Sequence, residues 1–295
     1  MVSILNKKRA EKLHKQAMGL SSSRPDEALS LYFKVLDLDE ARSNTHYNIG
    51  LIYKYRGDWS PSLMHNKRAY TLDQDNQAAI WNWGIAATAL SKWDDARAAW
   101  REYGIEIEGE EGPVVCNFGS APVRIFSKDG SAEVVWGKRI DPARIEIENI
   151  PFPKSGYRYR DIVLNDGAPN GTRVSGGREY DVFDSLGVWK SSEFKTFLLK
   201  VEALNVSVVG EFLEFLFEND MGAEDWTGSC ENICQECSEG SVNQDARNHQ
   251  SEWQYERDIG VATPDEMFLK NILKTWKNSD LKVLHIEEQE ISVLS

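Results

Sequence analysis

Tyr47-Asn48-Ile49-Gly50 and Trp81-Asn82-Trp83-Gly84 are two versions of one run, and the glycines that close them stand 34 residues apart. One more step of 34 toward the N-terminus reaches Gln16 and opens a weaker copy. Other positions keep the same phase: Ala28, Ser62 and Ala96; Tyr32, Asn66 and Trp100; Val35, Ala69 and Tyr103. A fixed period of this length marks stacked helix pairs, because one pair cannot bury its apolar face alone. Such arrays build binding surfaces more often than active sites. The first third of the chain therefore points to recognition, without naming what is recognised.

Within each unit the apolar spacing is helical. In the middle unit Tyr47, Ile49, Ile52, Tyr53 and Tyr55 precede the break Arg56-Gly57-Asp58, which suits a turn between helices. A second helix is expected from about Ser60 to Leu72, with Pro61 tolerable in its first turn. The third unit reads as a helix over Ala79–Leu90, a turn at Ser91-Lys92-Trp93, and a helix over Asp94–Tyr103. Gly50, Gly84, Ala28 and Ala96 fall where two helices of a pair approach closely, and Tyr32, Tyr53 and Trp100 are expected to fill the space between pairs. Asp26 and Asp94 suit helix N-termini, where the dipole favours an anion.

On these residues the region resembles tetratricopeptide repeats. With Gly50 and Gly84 at the family's eighth position, Ala28 and Ala96 fall on its small residue at position 20, Tyr32 and Trp100 on its aromatic at position 24, and Tyr53 on position 11. Departures are Gln16 for the first glycine, Ser62 and Asn66 in the second unit, Ala87 for an aromatic in the third, and Glu40 and Gln74 where a closing proline is usual. Three degenerate units over about residues 9–110 are expected.

In that family the first helix of each pair lines a concave groove for a peptide or partner helix. The resemblance places Asn44, Tyr47, Asn48, Leu51, Lys54 and Tyr55 of the middle unit on that face, with Trp81, Asn82 and Ile85 of the third and Leu13 and Ala17 of the first. Aromatic, amide and cationic side chains on one face suit mixed recognition. The alternative is that several of these aromatics pack against the next domain of the chain, since a three-repeat array has an open end that needs a cap. Family members that clamp the C-terminal carboxylate of chaperone peptides need Lys, Asn and further basic residues on the inner face. The corresponding positions here are Leu13, Ala17, Asn48, Ala78 and Asn82, and only Asn48 fits.

The chain's 295 residues exceed one ordinary domain. Hydrophobic content of 41% and charged content of 27% suit a globular protein. No apolar run approaches the roughly 20 residues that span a bilayer, and Met1–Lys8 has no extended apolar stretch with a cleavage site. Four cysteines make no disulfide framework, so a cytoplasmic location is expected. Lys and Arg number 34 against 47 Asp and Glu, a net charge of −13. That balance argues against a nucleic-acid partner, which needs clustered cations. It is compatible with a basic protein partner, and equally with solubility alone.

After the acidic, glycine-bearing stretch 104–113 the periodicity turns from helical to alternating. Pro122–Phe126, Ala132–Trp136 and Ala143–Ile150 read as strands. Arg160–Leu164 continues, with turns expected at Asn165-Asp166-Gly167, Asn170-Gly171 and Ser175-Gly176-Gly177. Residues 113–192 form a mostly-β domain on this reading. From 193 to 295 the order is strand Lys195–Val201, helix Val208–Phe217, room for an intervening strand, strand Trp253–Ala262, a helix opened by Pro264 and running through Trp276, and strand Leu281–Ile286. That is the split βαβ order of a ferredoxin-like α+β sandwich, a fold that carries no function by itself. The fold class expected is multidomain α + β: helical repeats, a mostly-β middle and a ferredoxin-like end.

One insertion is chemically suggestive. Cys230, Cys234 and Cys237 precede His249, and three Cys with one His would complete a closed tetrahedral zinc site. A structural zinc ion is one expectation; ordinary reduced cysteines on a loop are the other. No catalytic set is apparent. His14, His46 and His65 lie in the repeats and His285 on a late strand, away from Cys116 in sequence. Glu224-Asp225 is expected to be solvated, and no phosphate-binding glycine loop occurs. The C-terminal half also resembles the rear of uncharacterised bacterial repeat proteins, through Val135–Pro142, Asp166–Pro169, Glu224-Asp225-Trp226 and Cys234–Gly240. That likeness implies no activity.

The function expected is a non-enzymatic adaptor that holds a protein partner through the repeats, one version being an immunity protein that neutralises a basic bacterial toxin. The alternative is an enzyme or metal-dependent protein with a site near Cys230–Cys237, the repeats recruiting its substrate. A third reading is a scaffold whose repeats only pack.

Overall fold

The structure is a computed structural model that describes residues 3–227 and 253–291. It is a multidomain α + β protein, and its residues separate into two compact units, 3–116 with 141–143 and 117–140 with 144–291.

The first unit is three helix pairs: α1 (Ile4–Leu20) with α2 (Pro25–Leu38), α3 (Ser43–Tyr55) with α4 (Trp59–Leu72), and α5 (Gln77–Ala89) with α6 (Trp93–Glu102). Local chemistry sets the ends. The Ser3 hydroxyl accepts from Asn6 N–H and the Asn76 amide from Ala79 N–H, each satisfying an orphan donor of the first turn. Pro25 opens α2, and Asp26 and Asp94 lie in first turns as expected. Gly57, at φ +73°, makes the left-handed turn between α3 and α4.

The periodic glycines have a packing reason. A Cβ on Gly50 would lie 2.5 Å from the Asn66 amide, and one on Gly84 would overlap the Trp100 ring. Trp100 therefore closes within its own pair, over Gly84, rather than between pairs. Tyr32 and Tyr53 do join neighbours, packing with Ala17, Ala28, Leu29, Ile49 and Ile52. The open end after α6 is covered by the segment that follows it. Buried Arg97 donates from Nη2 to the carbonyls of Glu111 and Gly112, both at 2.6 Å, and from Nε to Gly109 at 3.1 Å. Arg101 forks onto Glu110 beside it, and Ile107 and Val114 are buried.

The second unit begins with a closed barrel of β1 (Ser120–Phe126), β2 (Ala132–Asp141), β3 (Arg144–Ile147), β4 (Ile162–Ser175) and β5 (Arg178–Lys190). Neighbours run antiparallel where their register is seen, and parallel β1–β5 pairing at Val123 and Phe183 closes the ring. Val123, Ile125, Val135, Ile145, Ile147 and Val163 fill it. The expected turns at Asn165–Gly167 and Asn170-Gly171 are instead register shifts inside β4, around Asn165, Pro169 and Thr172. Pro169 has no N–H to give a ladder, so the strand bulges there without reversing. The reversal falls at Gly176-Gly177, where both φ values are positive, as a tight hairpin requires. β3 stops at Ile147 because the Asn149 side chain takes over, its Oδ1 accepting from Trp136 N–H at 2.5 Å.

A four-stranded sheet with two helices completes the unit: β6 (Lys195–Ala203), α7 (Val206–Phe217), β7 (Gly222–Asp225), β8 (Glu256–Thr263), α8 (Glu266–Leu273) and β9 (Leu281–Gln289). The order β7-β8-β6-β9 with antiparallel neighbours is the ferredoxin-like arrangement. Helix α8 ends three residues before Trp276. Trp276 leaves the helix to pack on Phe212 and Phe215, each at 5.1 Å, while its Nε1 donates to Leu281 O. Barrel and sheet meet through Ile150, Phe152, Tyr159, Phe194, Leu198, Trp226 and Ala262.

Candidate functional site

The repeats bring first helices of neighbouring pairs side by side. His14 on α1 and Thr45 on α3 share a hydrogen bond at 3.0 Å, and Arg42 pairs with Glu11 at 2.6 Å. Further along, Lys54 Nζ on α3 donates to Asn82 Oδ1 on α5 at 3.1 Å. These bonds fix α1, α3 and α5 as one layer.

The nine residues of the second and third units expected on the inner face divide by position. Lys54 (3% exposed), Asn82 and Ile85 are buried in the layer; they hold helices together. Trp81 is half-buried and packs edge-on against Trp100 at 5.2 Å and Tyr103 at 4.6 Å. Tyr47, Asn48 and Leu51 are half-buried, Asn48 bonding to the Tyr32 hydroxyl. Asn44 and Tyr55 (64% exposed) face solvent, the Tyr55 ring 4.5 Å from the Lys54 ammonium. Asn44, Tyr47, Asn48, Leu51 and Tyr55 recur at three- and four-residue steps, which puts them on one side of α3. This row is the candidate recognition surface.

Beneath it lies a histidine pair invisible in the sequence pattern. His46 Nδ1 and His65 Nδ1 are 3.0 Å apart, and His46 Nε2 donates to Glu40 O. That donation makes His46 Nδ1 the acceptor and His65 Nδ1 the donor. Burial, reinforced by the neighbouring ring, pushes His65 down to about 4, and burial likewise lowers His46 and His14. The pair is neutral near pH 7 and serves packing.

The second unit holds a carboxylate node that sequence reading also missed. Glu224 on β7 accepts from Asn149 Nδ2 and Ile150 N–H at 3.3 and 3.1 Å, so it is engaged and half-buried rather than solvated. Asp225 beside it accepts from Arg257 at 2.5 Å. Glu133 on β2 accepts from Phe152 N–H at 3.2 Å. Burial, with Glu224 adding repulsion, raises Glu133 to about 7 against the pull of Lys154 and Arg173. Both glutamates thus clamp the 149–152 backbone where barrel and sheet meet.

Cys230, Cys234, Cys237 and His249 lie outside the described residues. Among the described residues no group of three or more His, Cys, Asp or Glu is placed to hold a metal ion, and no helix is long and apolar enough to cross a membrane.

No family model matches the chain, and no curated protein matches it. Solved structures similar to parts of it include the second TPR of Spaghetti (RPAP3) bound to HSP90 peptide SRMEEVD, 20% identical, covering 34% of this chain and 93% of that one at a TM-score of 0.32. The Arabidopsis OM64 TPR domain is 17% identical, covering 33% and 82% at 0.31. A hypothetical protein from Neisseria gonorrhoeae is 14% identical, covering 60% and 96% at 0.26. The six paired helices, their 34-residue period and the glycines seated under Asn66 and Trp100 make the first unit TPR-like in build.

Proposed function

We propose that the chain is a non-enzymatic adaptor whose repeats hold a protein partner. The observation that carries this reading is the row Asn44, Tyr47, Asn48, Leu51 and Tyr55 along α3, which presents aromatic, amide and aliphatic groups from a layer fixed by Lys54–Asn82. Rigid aromatic anchors on a preorganised helix layer are what protein recognition favours. A C-terminal carboxylate clamp of the chaperone type is not part of the proposal, since Leu13, Ala17 and Ala78 supply no cation or amide where one is needed. Neutralisation of a basic toxin is the finer version, supported by the net charge of −13 alone.

The test is affinity capture from source lysate with intact chain and with Tyr47→Ala/Tyr55→Ala, read by mass spectrometry. The proposal expects one partner retained by the intact chain and lost by the variant. Equal capture by both would sink it.

A further inference from the structure

The net charge is unevenly placed. Through Ser192 acidic and basic residues balance, whereas residues 193–295 hold twenty-one Asp and Glu against eight Lys and Arg. Helix α7 carries part of that excess in an ordered way. Its sheet side, Val208, Val209, Phe212 and Leu216, is buried. On one flank Val206, Gly210, Leu213 and Phe217 recur at steps of four, three and four, forming one row. Val206 is 72% exposed and Phe217 50%, so both ends of the row reach solvent, with half-buried Leu213 between them. Beside it Glu211, Glu214 and Glu218 make a parallel row, and the helix contains no Lys or Arg.

Gly210 gives a separate indication. It is exposed, mid-helix, and a Cβ built there would meet nothing within 4 Å. An interior helix glycine weakens a helix relative to alanine, and nothing near it requires the space. What the glycine does provide is a low point in the apolar row where another backbone can come close.

We propose that this flank of α7 docks a basic amphipathic helix from a partner protein. Its apolar side chains would seat against Val206, Leu213 and Phe217, its backbone would pass over Gly210, and its Lys or Arg side chains would lie beside the glutamate row. Two other occupants have the wrong sign. A second copy would oppose glutamates to glutamates, and residues 228–252 of the chain itself hold five acidic residues and one basic.

The test titrates the full chain into a labelled synthetic amphipathic helix of Leu, Ala and Lys, and into its counterpart with Glu for Lys, by fluorescence anisotropy. The Lys helix is expected to bind and to weaken with added salt, and the Glu helix not to bind. Phe217→Ser and Gly210→Leu should each weaken binding by about tenfold or more. Gly210→Ala should raise the melting temperature while weakening binding, which separates docking from folding. Glu287→Gln/Glu290→Gln, which removes charge from exposed positions away from α7, should leave affinity nearly unchanged. Absence of binding, equal binding of the Glu helix, or equal effects of the α7 and 287/290 variants would overturn the proposal. So would a dimer abolished by Phe217→Ser, or binding gained only on excising 228–252, since each gives the row another occupant.

Discussion

Lys54 Nζ meets Asn82 Oδ1 at 3.1 Å with both residues buried, so the first helices of the second and third pairs are joined by a charge-assisted hydrogen bond. Its consequence is that changes at Lys54 report on folding before binding. Asn82→Leu removes one acceptor from a buried ammonium and should destabilise the repeats by on the order of 1–3 kcal/mol. Lys54→Met, which keeps the stem and removes the charge, should cost less. Urea unfolding followed by circular dichroism measures both.

Gly84 lies under the Trp100 ring. Gly84→Ala should destabilise by about 1–3 kcal/mol, the usual cost of overpacking, although alanine is the better helix former. Combined with Trp100→Leu, the same alanine should be much less costly, and a double-mutant cycle reads that coupling. Additive effects would contradict the packing account.

The two units should respond to pH in opposite directions. His65 falls from 6.5 to about 4 on folding, so between those values the unfolded chain holds the extra proton and the repeats lose stability as pH falls. Glu133 rises from 4.5 to about 7, so the folded chain holds the extra proton and the second unit loses stability as pH rises through that window. Hydrogen exchange, read peptide by peptide at several pH values, should show both slopes. His65→Gln should flatten the first and Glu133→Gln the second.

Arg97 donates to the carbonyls of Gly109, Glu111 and Gly112. Arg97→Met should release this cover of α6 at a cost of about 2 kcal/mol, the scale of hydrogen bonds to a charged group. Limited proteolysis should then cut within 104–113 faster than in the intact chain.

Helix pairs and the ferredoxin-like order were legible because each rests on short-range periodicity, with Gly50 and Gly84 keeping phase and β6–α7 and β8–α8 alternating strand with helix. The β4 bulges were not legible, since Asn-Gly and Asp-Gly signal a turn locally while only strand pairing decides that the chain runs on. Register placed Lys54, Asn82 and Ile85 on the first helices, yet it could not reveal that all three are buried inside the packed repeats. The His46–His65 contact and the Glu133–Glu224 node join residues distant in sequence, for which local pattern holds no signal. The Arg97 cap was foreseeable as a need but not as a partner, because the acceptors are backbone carbonyls.

The most direct test of the central claim is the partner capture comparing the intact chain with Tyr47→Ala/Tyr55→Ala, run alongside a thermal melt of both proteins. A specific protein partner lost from a variant that melts normally is the expected result. A partner held equally by both proteins would contradict the account and move recognition away from the α3 row.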